Sequence, residues 1–238
     1  MQLADLPNRR VEAWKYSDLR AALGDAALPR DGARPARAWG KLDGVIDRLA
    51  LAQGRHAITK LAAGEREVLV DRIGGETGLE ARVREIQVGP GAELTRVVLQ
   101  SGGDVVLDSA HVSVSAGGTY RQMIVADGAR LARVETAIEV EGEGANIELN
   151  GVYLCGAGRH ADLTSTIAHQ VGGGVTRQLI KGVARKGGRG VFQGKIVVAP
   201  HAQKTDARQY HHGLLLEDGA EIFAKPELMI HADDVQCA

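Results

Sequence analysis

Asp104-Val105-Val106-Leu107 and His111-Val112-Ser113-Val114 are two short runs rich in branched aliphatic residues, and similar runs recur along the chain. Glu67-Val68-Leu69-Val70, Glu85-Ile86-Gln87-Val88 and Lys195-Ile196-Val197-Val198 have the same texture, with Gly or Asp breaking the sequence between runs. Such alternation sends one set of side chains inward and the other outward, as half-buried β-strands require. A register accompanies it. A small residue followed two positions later by an aliphatic one occurs at Ala92/Leu94, Ala110/Val112, Ala129/Leu131, Ala145/Ile147, Ala161/Leu163 and Ala220/Ile222. Where consecutive, these marks lie roughly 16 to 19 residues apart, and a period of that size predicts a solenoid.

In a solenoid each repeat supplies strands that cannot bury their apolar face alone, so they stack on the previous turn at about 4.8 Å. A Greek-key sandwich or jelly roll also spaces its strands regularly and stands as the alternative. Composition favours stacking: aromatic residues make up 3% of the chain and Gly numbers 31. The core must then be aliphatic and the turns tight.

The 238 residues suffice for one large domain or two small ones. Lys+Arg at 29 against Asp+Glu at 30 give a net charge of -1, which offers no long-range attraction to nucleic acid or an anionic membrane. No stretch approaches the roughly 20 apolar residues of a spanning helix, and Met1 to Arg10 holds no signal-peptide core, so a cytoplasmic location is expected. Two cysteines, Cys155 and Cys237, are too few for a disulfide framework and fit a reducing compartment.

Three segments differ in texture. Residues 1–25 read as a helical segment, a short amphipathic helix that Pro7 can start and that Val11, Trp14, Leu19 and Leu23 would line, with Trp14 as anchor. Residues 26–64 read as a linker and irregular segment, with Pro29, Asp31-Gly32 and Pro35 marking a loop. Within it, Lys41 to Ile58 supports a helix through Leu42, Val45, Ile46 and Leu49, and equally a strand entering a turn at Gly54. Residues 65–238 carry the strands.

Candidate chemistry is sparse. Adjacent strand residues face opposite ways, so His211-His212 cannot act as joint ligands, and a solvated turn is the better reading. Gly172-Gly173-Gly174 and Gly187-Gly188-Arg189-Gly190 match neither phosphate-loop pattern and read as turns. Arg185, Lys186 and Arg189 lack the interleaved aromatics of a nucleic-acid site. No Ser-His-Asp or CxxC arrangement is evident, and Cys155 reads as a small buried hydrophobe. If Leu228 to Cys237 is one extended strand, His231, Asp233, Val235 and Cys237 share a face, a thiol, an imidazole and a carboxylate suited to a soft or borderline metal. His231 and Cys237 would then lie about 20 Å apart, so Cys237 would need partners from another turn or another chain.

Gly190 to Val198, Ala202-Gln203-Lys204-Thr205-Asp206-Ala207-Arg208-Gln209, Leu214 to Glu221, Lys225-Pro226-Glu227-Leu228 and Ala232-Asp233-Asp234-Val235-Gln236-Cys237 together resemble the core of the SufB/SufD family of iron–sulfur cluster assembly proteins. Pro7-Asn8-Arg9-Arg10 with Glu12 and Trp14-Lys15-Tyr16 looks most like the SufD branch. The resemblance implies a mainly β fold, a right-handed parallel β-helix (β-solenoid) with a short N-terminal helical region. It also implies a non-catalytic scaffold that pairs with SufB through the β-helix and works with the ATPase SufC. An iron–sulfur cluster would be held transiently in the assembled complex. By the same resemblance Asp233, Asp234 and Cys237 belong to the partner interface, with Cys237 at an iron or cluster site. The family pattern continues past this cysteine with one residue and then His-Gly, whereas Ala238 ends this sequence. A scaffold that keeps the fold but lacks SufC docking and a complete iron site is expected, with homodimer pairing open to it. A carbohydrate-active β-helix enzyme or a plain adaptor solenoid are the rival classes. The first would need carboxylates gathered on adjacent turns, which Asp233-Asp234 alone do not supply.

Overall fold

The computed structural model describes residues 2–24, 28 and 44–238. Strands β1 (His56–Leu61), β3 (Leu79–Val88), β5 (Val105–Val114), β7 (Leu131–Val140), β9 (His160–His169), β11 (Arg189–Val198) and β13 (Glu221–Ile230) pair in that order in a first sheet. Strands β2 (Arg66–Ile73), β4 (Glu93–Gln100), β6 (Thr119–Ala126), β8 (Asn146–Cys155), β10 (Val175–Ala184), β12 (Asp206–Leu215) and β14 (Gln236–Cys237) form the second. Every strand pairing is parallel. Because consecutive strands always belong to opposite sheets, the chain winds as a β-solenoid, and the sandwich alternative falls.

The winding period differs from the expected one. Strands of the first sheet begin at Leu79, Val105, Leu131, His160, Arg189 and Glu221, so one turn takes 26 to 32 residues. The marks 16 to 19 residues apart fall on both sheets: Ala110/Val112 and Ala161/Leu163 in the first, Leu94 and Ile147 in the second. Each turn holds two strands and two corners, so a mark found on either sheet cannot report the full turn. Glycines do report it. Gly64, Gly91, Gly117, Gly144 and Gly173 occupy one corner in successive turns, all left-handed at φ 63 to 73°. Each donates its N–H to the carbonyl of the residue preceding its successor in the next turn: Pro90, Ala116, Glu143, Gly172 and Gln203. A side chain there would carry backbone strain of about 1 kcal/mol or more.

Inside, Leu94, Tyr120, Ile147, Thr176 and Ala207 stand in register along one inward column of the second sheet. Leu94, Tyr120, Ile147 and Ala207 belong to an aliphatic cluster with Val112, Val140 and Ile196 from the first sheet. Tyr153 is fully buried because Gly182 and Gly190 leave it room; a Cβ at either would lie about 2 Å from its ring, at 1.9 and 2.0 Å. Charge is also buried within the solenoid. Arg96, fully enclosed, binds Asp71 at 2.7 Å and Asp108 at 2.8 Å, and Arg84 reaches Asp71 at 2.6 Å. Burial alone would raise the Asp71 carboxyl, but Arg96 and Arg84 together hold it below the usual range.

A third layer covers part of the outer face of the first sheet. Leu6, Trp14, Leu19, Leu23, Val45, Ile46, Leu49 and Ala50 pack on Ala81, Val83, Val105, Leu107 and Leu131. The single amphipathic helix expected before residue 25 is broken into two 3-10 turns, Leu3–Asp5 and Glu12–Trp14, and a short helix α1, Leu19–Leu23. Asp18 is the reason: it is extended at φ -92 and ψ 93, and its carboxylate accepts from the Ala21 N–H at 2.9 Å, so a helix starts there and cannot run through. Trp14 is buried as expected, lying over the Arg133 guanidinium at 4.1 Å. Of residues 26–64, most of the expected loop lies outside the described residues. The remainder holds helix α2, Val45–Ala52, so the helical reading holds from Val45 and the strand entering a turn at Gly54 does not form; β1 follows that turn instead.

Candidate functional site

The stretch from Leu228 to Cys237 is not one strand. β13 ends at Ile230 in the first sheet, residues 231–235 turn the corner, and Gln236–Cys237 pair with Asp206 and Ala207 in the second. His231 and Cys237 therefore belong to different sheets, and the shared face that a straight strand would provide does not form. The chain must cross between sheets once per half-turn, and this crossing falls on Ala232, Asp233 and Asp234.

Cys237 lies opposite Ala207, so it extends the inward column that runs from Leu94 through Tyr120, Ile147 and Thr176. It packs half-buried on the aliphatic core, and burial raises its thiol above the ordinary value. Backbone bonds fix its neighbours: Gln236 N–H donates to the Thr205 carbonyl at 2.9 Å and Ala238 N–H to that of Ala207 at 3.0 Å. Asp233 and Asp234 are exposed at the corner, and the Asp234 carboxylate pairs with the Lys204 ammonium. Among the described residues no group of three or more His, Cys, Asp or Glu converges as a metal site.

Large apolar side chains reach the surface in several turns, among them Val68, Leu154 and the run at the end of β12. Leu214, Leu215 and Leu216 are 50 to 55% exposed where β12 ends, and Tyr210 and Ile230 are exposed elsewhere in the same turn. A run of exposed leucines of this kind is a candidate contact surface. Glu221 of β13 donates to Gly188, just before β11, and His231, just after β13, donates to Val198, so the odd positions of β13 face β11 and the Pro226 nitrogen points away from it.

Other candidates resolve into structure. His211 and His212 face opposite ways, as expected, but they lie mid-strand in β12 rather than in a turn. His211 bonds the Tyr153 hydroxyl at 2.9 Å and stacks on Phe192 at 5.4 Å. Gly172, Gly173, Gly187 and Gly188 lie at corners, while Arg185 and Arg189 are paired with Glu217 and Glu221. Cys155 is fully buried, with its thiol pushed up to about 11 by that burial. A cleft of about 360 Å³ separates Val11, Glu12 and Ala13 from β9, β11 and β13, and a Glu12–Lys225 ion pair bridges its rim.

Buried histidines give the molecule a pH signature. His169 is fully enclosed, bonds Thr176 at 2.8 Å, and is pushed down to about 4 by burial; His160 is likewise lowered to about 4. Both are neutral in the fold, whereas the unfolded chain protonates them near pH 6.5. Their contribution is therefore whole above pH 6.5 and is lost as pH falls from there to about 4, by up to about 1.4 kcal/mol per pH unit per histidine. Melting temperatures from pH 8 to 4 should fall over that window, and less steeply in His169→Gln; equal slopes in the two proteins would refute the assignment.

Sequence comparison gives this geometry its context. Residues 45–238 match the model of the SUF system FeS cluster assembly, SufBD core domain. The chain belongs to the SufB/SufD family. It is 35% identical over 111 residues to the iron-sulfur cluster assembly protein SufD of Escherichia coli, covering 47% of this chain and 26% of that one. An iron-sulfur cluster assembly SufBD family protein of Synechocystis is 33% identical over 161 residues, 66% of this chain and 35% of the relative. Protein ABCI7, chloroplastic, of Arabidopsis thaliana is 33% identical over 162 residues, 66% and 34% respectively. The matched regions thus span about a quarter to a third of these relatives, and SufD-like character rests on them.

Sequence reasoning missed two features of the site. The exposed leucines were visible as Leu214-Leu215-Leu216, a run that a strand buried on both faces would also show. Lys204 was also in view. The glycines at 64, 91, 117, 144 and 173 recur every 26 to 29 residues, and the next interval ends on this lysine.

Proposed function

We propose that this chain is a SufD-like, non-catalytic scaffold of iron–sulfur cluster assembly, acting in the cytoplasm, which pairs with a SufB-like subunit in a system driven by a SufC-like ATPase that residues 1–238 do not themselves dock. The cluster is cargo built in the assembled complex. The turn that carries Asp233, Asp234 and Cys237 faces the partner, with these three residues at the contact and Cys237 beside the place where iron or cluster is handled. The observation that carries this reading is the exposed apolar patch at Leu214 to Leu216, in the same turn as that cysteine and within the matched SufBD core. Burying such a patch is the main driving force available to an association, at about 25 cal/mol per Å² of apolar surface.

Co-expression with a tagged SufB-like subunit tests the proposal. The parent chain is expected to co-purify, and Leu214→Asp combined with Leu216→Asp to reduce recovery about tenfold or more, since each charge would be buried without a partner. Both side chains are exposed in the free chain, so its melting temperature should change little. Unchanged recovery of the double variant, or no co-purification of the parent, would overturn the reading.

A further inference from the structure

Lys204 breaks the rule that its corner otherwise obeys. It stands where the preceding turns place Gly64, Gly91, Gly117, Gly144 and Gly173, and at φ 61 it is the single non-glycine residue with positive φ among the described residues. Space is not what glycine supplies there: a Cβ built on those five glycines would meet nothing closer than 3.6 Å. What glycine avoids is the left-handed backbone, and lysine accepts that strain.

The strain is matched to a set of contacts on one residue of the following corner. The Lys204 N–H donates to the Asp234 carbonyl at 2.6 Å, its ammonium pairs with the Asp234 carboxylate, and the neighbouring Gln203 side-chain oxygen accepts the Asp234 N–H at 2.9 Å. Asp234 is thus held by its carbonyl, its amide and its carboxylate. The backbone donation continues the ladder that the glycines make, so the side-chain ion pair is what lysine adds. That pair is largely exposed, 72 and 64% for the two side chains, and exposed pairs contribute little to stability. A strained residue whose added contact does little for stability calls for another role, and Asp234 lies three residues before Cys237.

We propose that Lys204 is a positioning residue: it clasps Asp234 and thereby sets the path of residues 235–237, keeping the Cys237 thiol turned against the core. Opening the clasp releases that segment and exposes the thiol. The bearing of this gate on cluster assembly rests on the scaffold reading above; the clasp itself does not.

Maleimide labelling of Cys237, read by mass spectrometry with buried Cys155 as internal reference, tests the clasp on the full chain. Lys204→Met keeps the strained backbone and removes the charge, Asp234→Asn removes the partner charge, and Lys204→Gly removes strain and charge together. All three are expected to label about fivefold or more faster than the parent at low salt, as a local opening would require. Salt at about 1 M should speed the parent and leave the variants unchanged. Lys204→Gly should melt no lower than the parent, because relief of the left-handed strain compensates, so faster labelling could not be ascribed to general loss of structure. Labelling of Lys204→Met and Asp234→Asn within about twofold of the parent would overturn the proposal. The assay contains no partner and no iron, so it and the co-purification experiment fail independently.

Discussion

Arg96→Met is expected to lower the stability of the solenoid by about 3 to 5 kcal/mol, the cost of leaving buried carboxylates without their cation. Asp108 lies 2.8 Å from this guanidinium and Asp71 lies 2.7 Å from it, both nearly sealed from solvent. Arg84 retains Asp71, so the stranded charge is chiefly that of Asp108. The same surroundings explain why Arg96 stays charged: burial opposes its protonated form, but Asp108, Tyr120 and Asp71 outweigh burial and raise its pKa. Methionine fills much of the volume, so the loss measures charge rather than a cavity. A drop of roughly 10 °C in melting temperature is expected for a chain of this length. Adding Asp108→Leu should recover a large part of it, because removing a whole buried ion pair is far less costly than removing half. A single variant within about 1 kcal/mol of the parent would show that the interior is wetter than its burial implies.

Trp14→Ala should have an effect of similar size and different reach. The indole is fully buried, and it lies over Arg133, which is itself fully buried and bound to Asp162 at 2.8 Å and to Glu135. Deleting a buried Trp costs about 3 to 5 kcal/mol, and an enclosed cation–π contact adds about 2. Besides Leu6, Leu19 and Leu23, the N-terminal segment is held on the outer face of the first sheet by Ser17 to Asp162 and His160, Arg130 to the Ala22 carbonyl, Tyr16 stacked on Phe223 at 5.2 Å, and Glu12 to Lys225. Loss of the indole should therefore release this segment first. Trypsin is expected to cut after Lys15 and Arg20 much faster in the variant, at a temperature where the solenoid strands remain protected. Unchanged cleavage with a melting temperature within about 2 °C of the parent would refute the anchoring role.

The strands were legible because their signal is local. A run such as His111-Val112-Ser113-Val114 states its own alternation, and stacking identical alternations needs no further information. The length of a turn was legible too, but in the glycines rather than in the small-aliphatic marks. A corner requires a left-handed residue once per turn, whereas an Ala-x-aliphatic pattern suits either sheet. The break in the N-terminal helix was written in Asp18, whose side chain competes for the backbone as a helix cap; helical spacing of Trp14, Leu19 and Leu23 concealed it. At Leu228 to Cys237, extended character was read correctly for each part, and only the corner between them was missed.

Taken alone, the sequence determined the β-solenoid class, the aliphatic core, the anchoring tryptophan and, through its ordered C-terminal motifs, the SufB/SufD family. Tertiary structure decided which way Cys237 faces, that His231 lies on another sheet, and that Lys204 reaches Asp234 across 30 residues of chain. The reason is physical. Alternation and turn chemistry act between neighbours in sequence and can be read there. The stacking of one turn on the next brings together residues about 26 to 32 positions apart, and no local preference encodes which of them will touch.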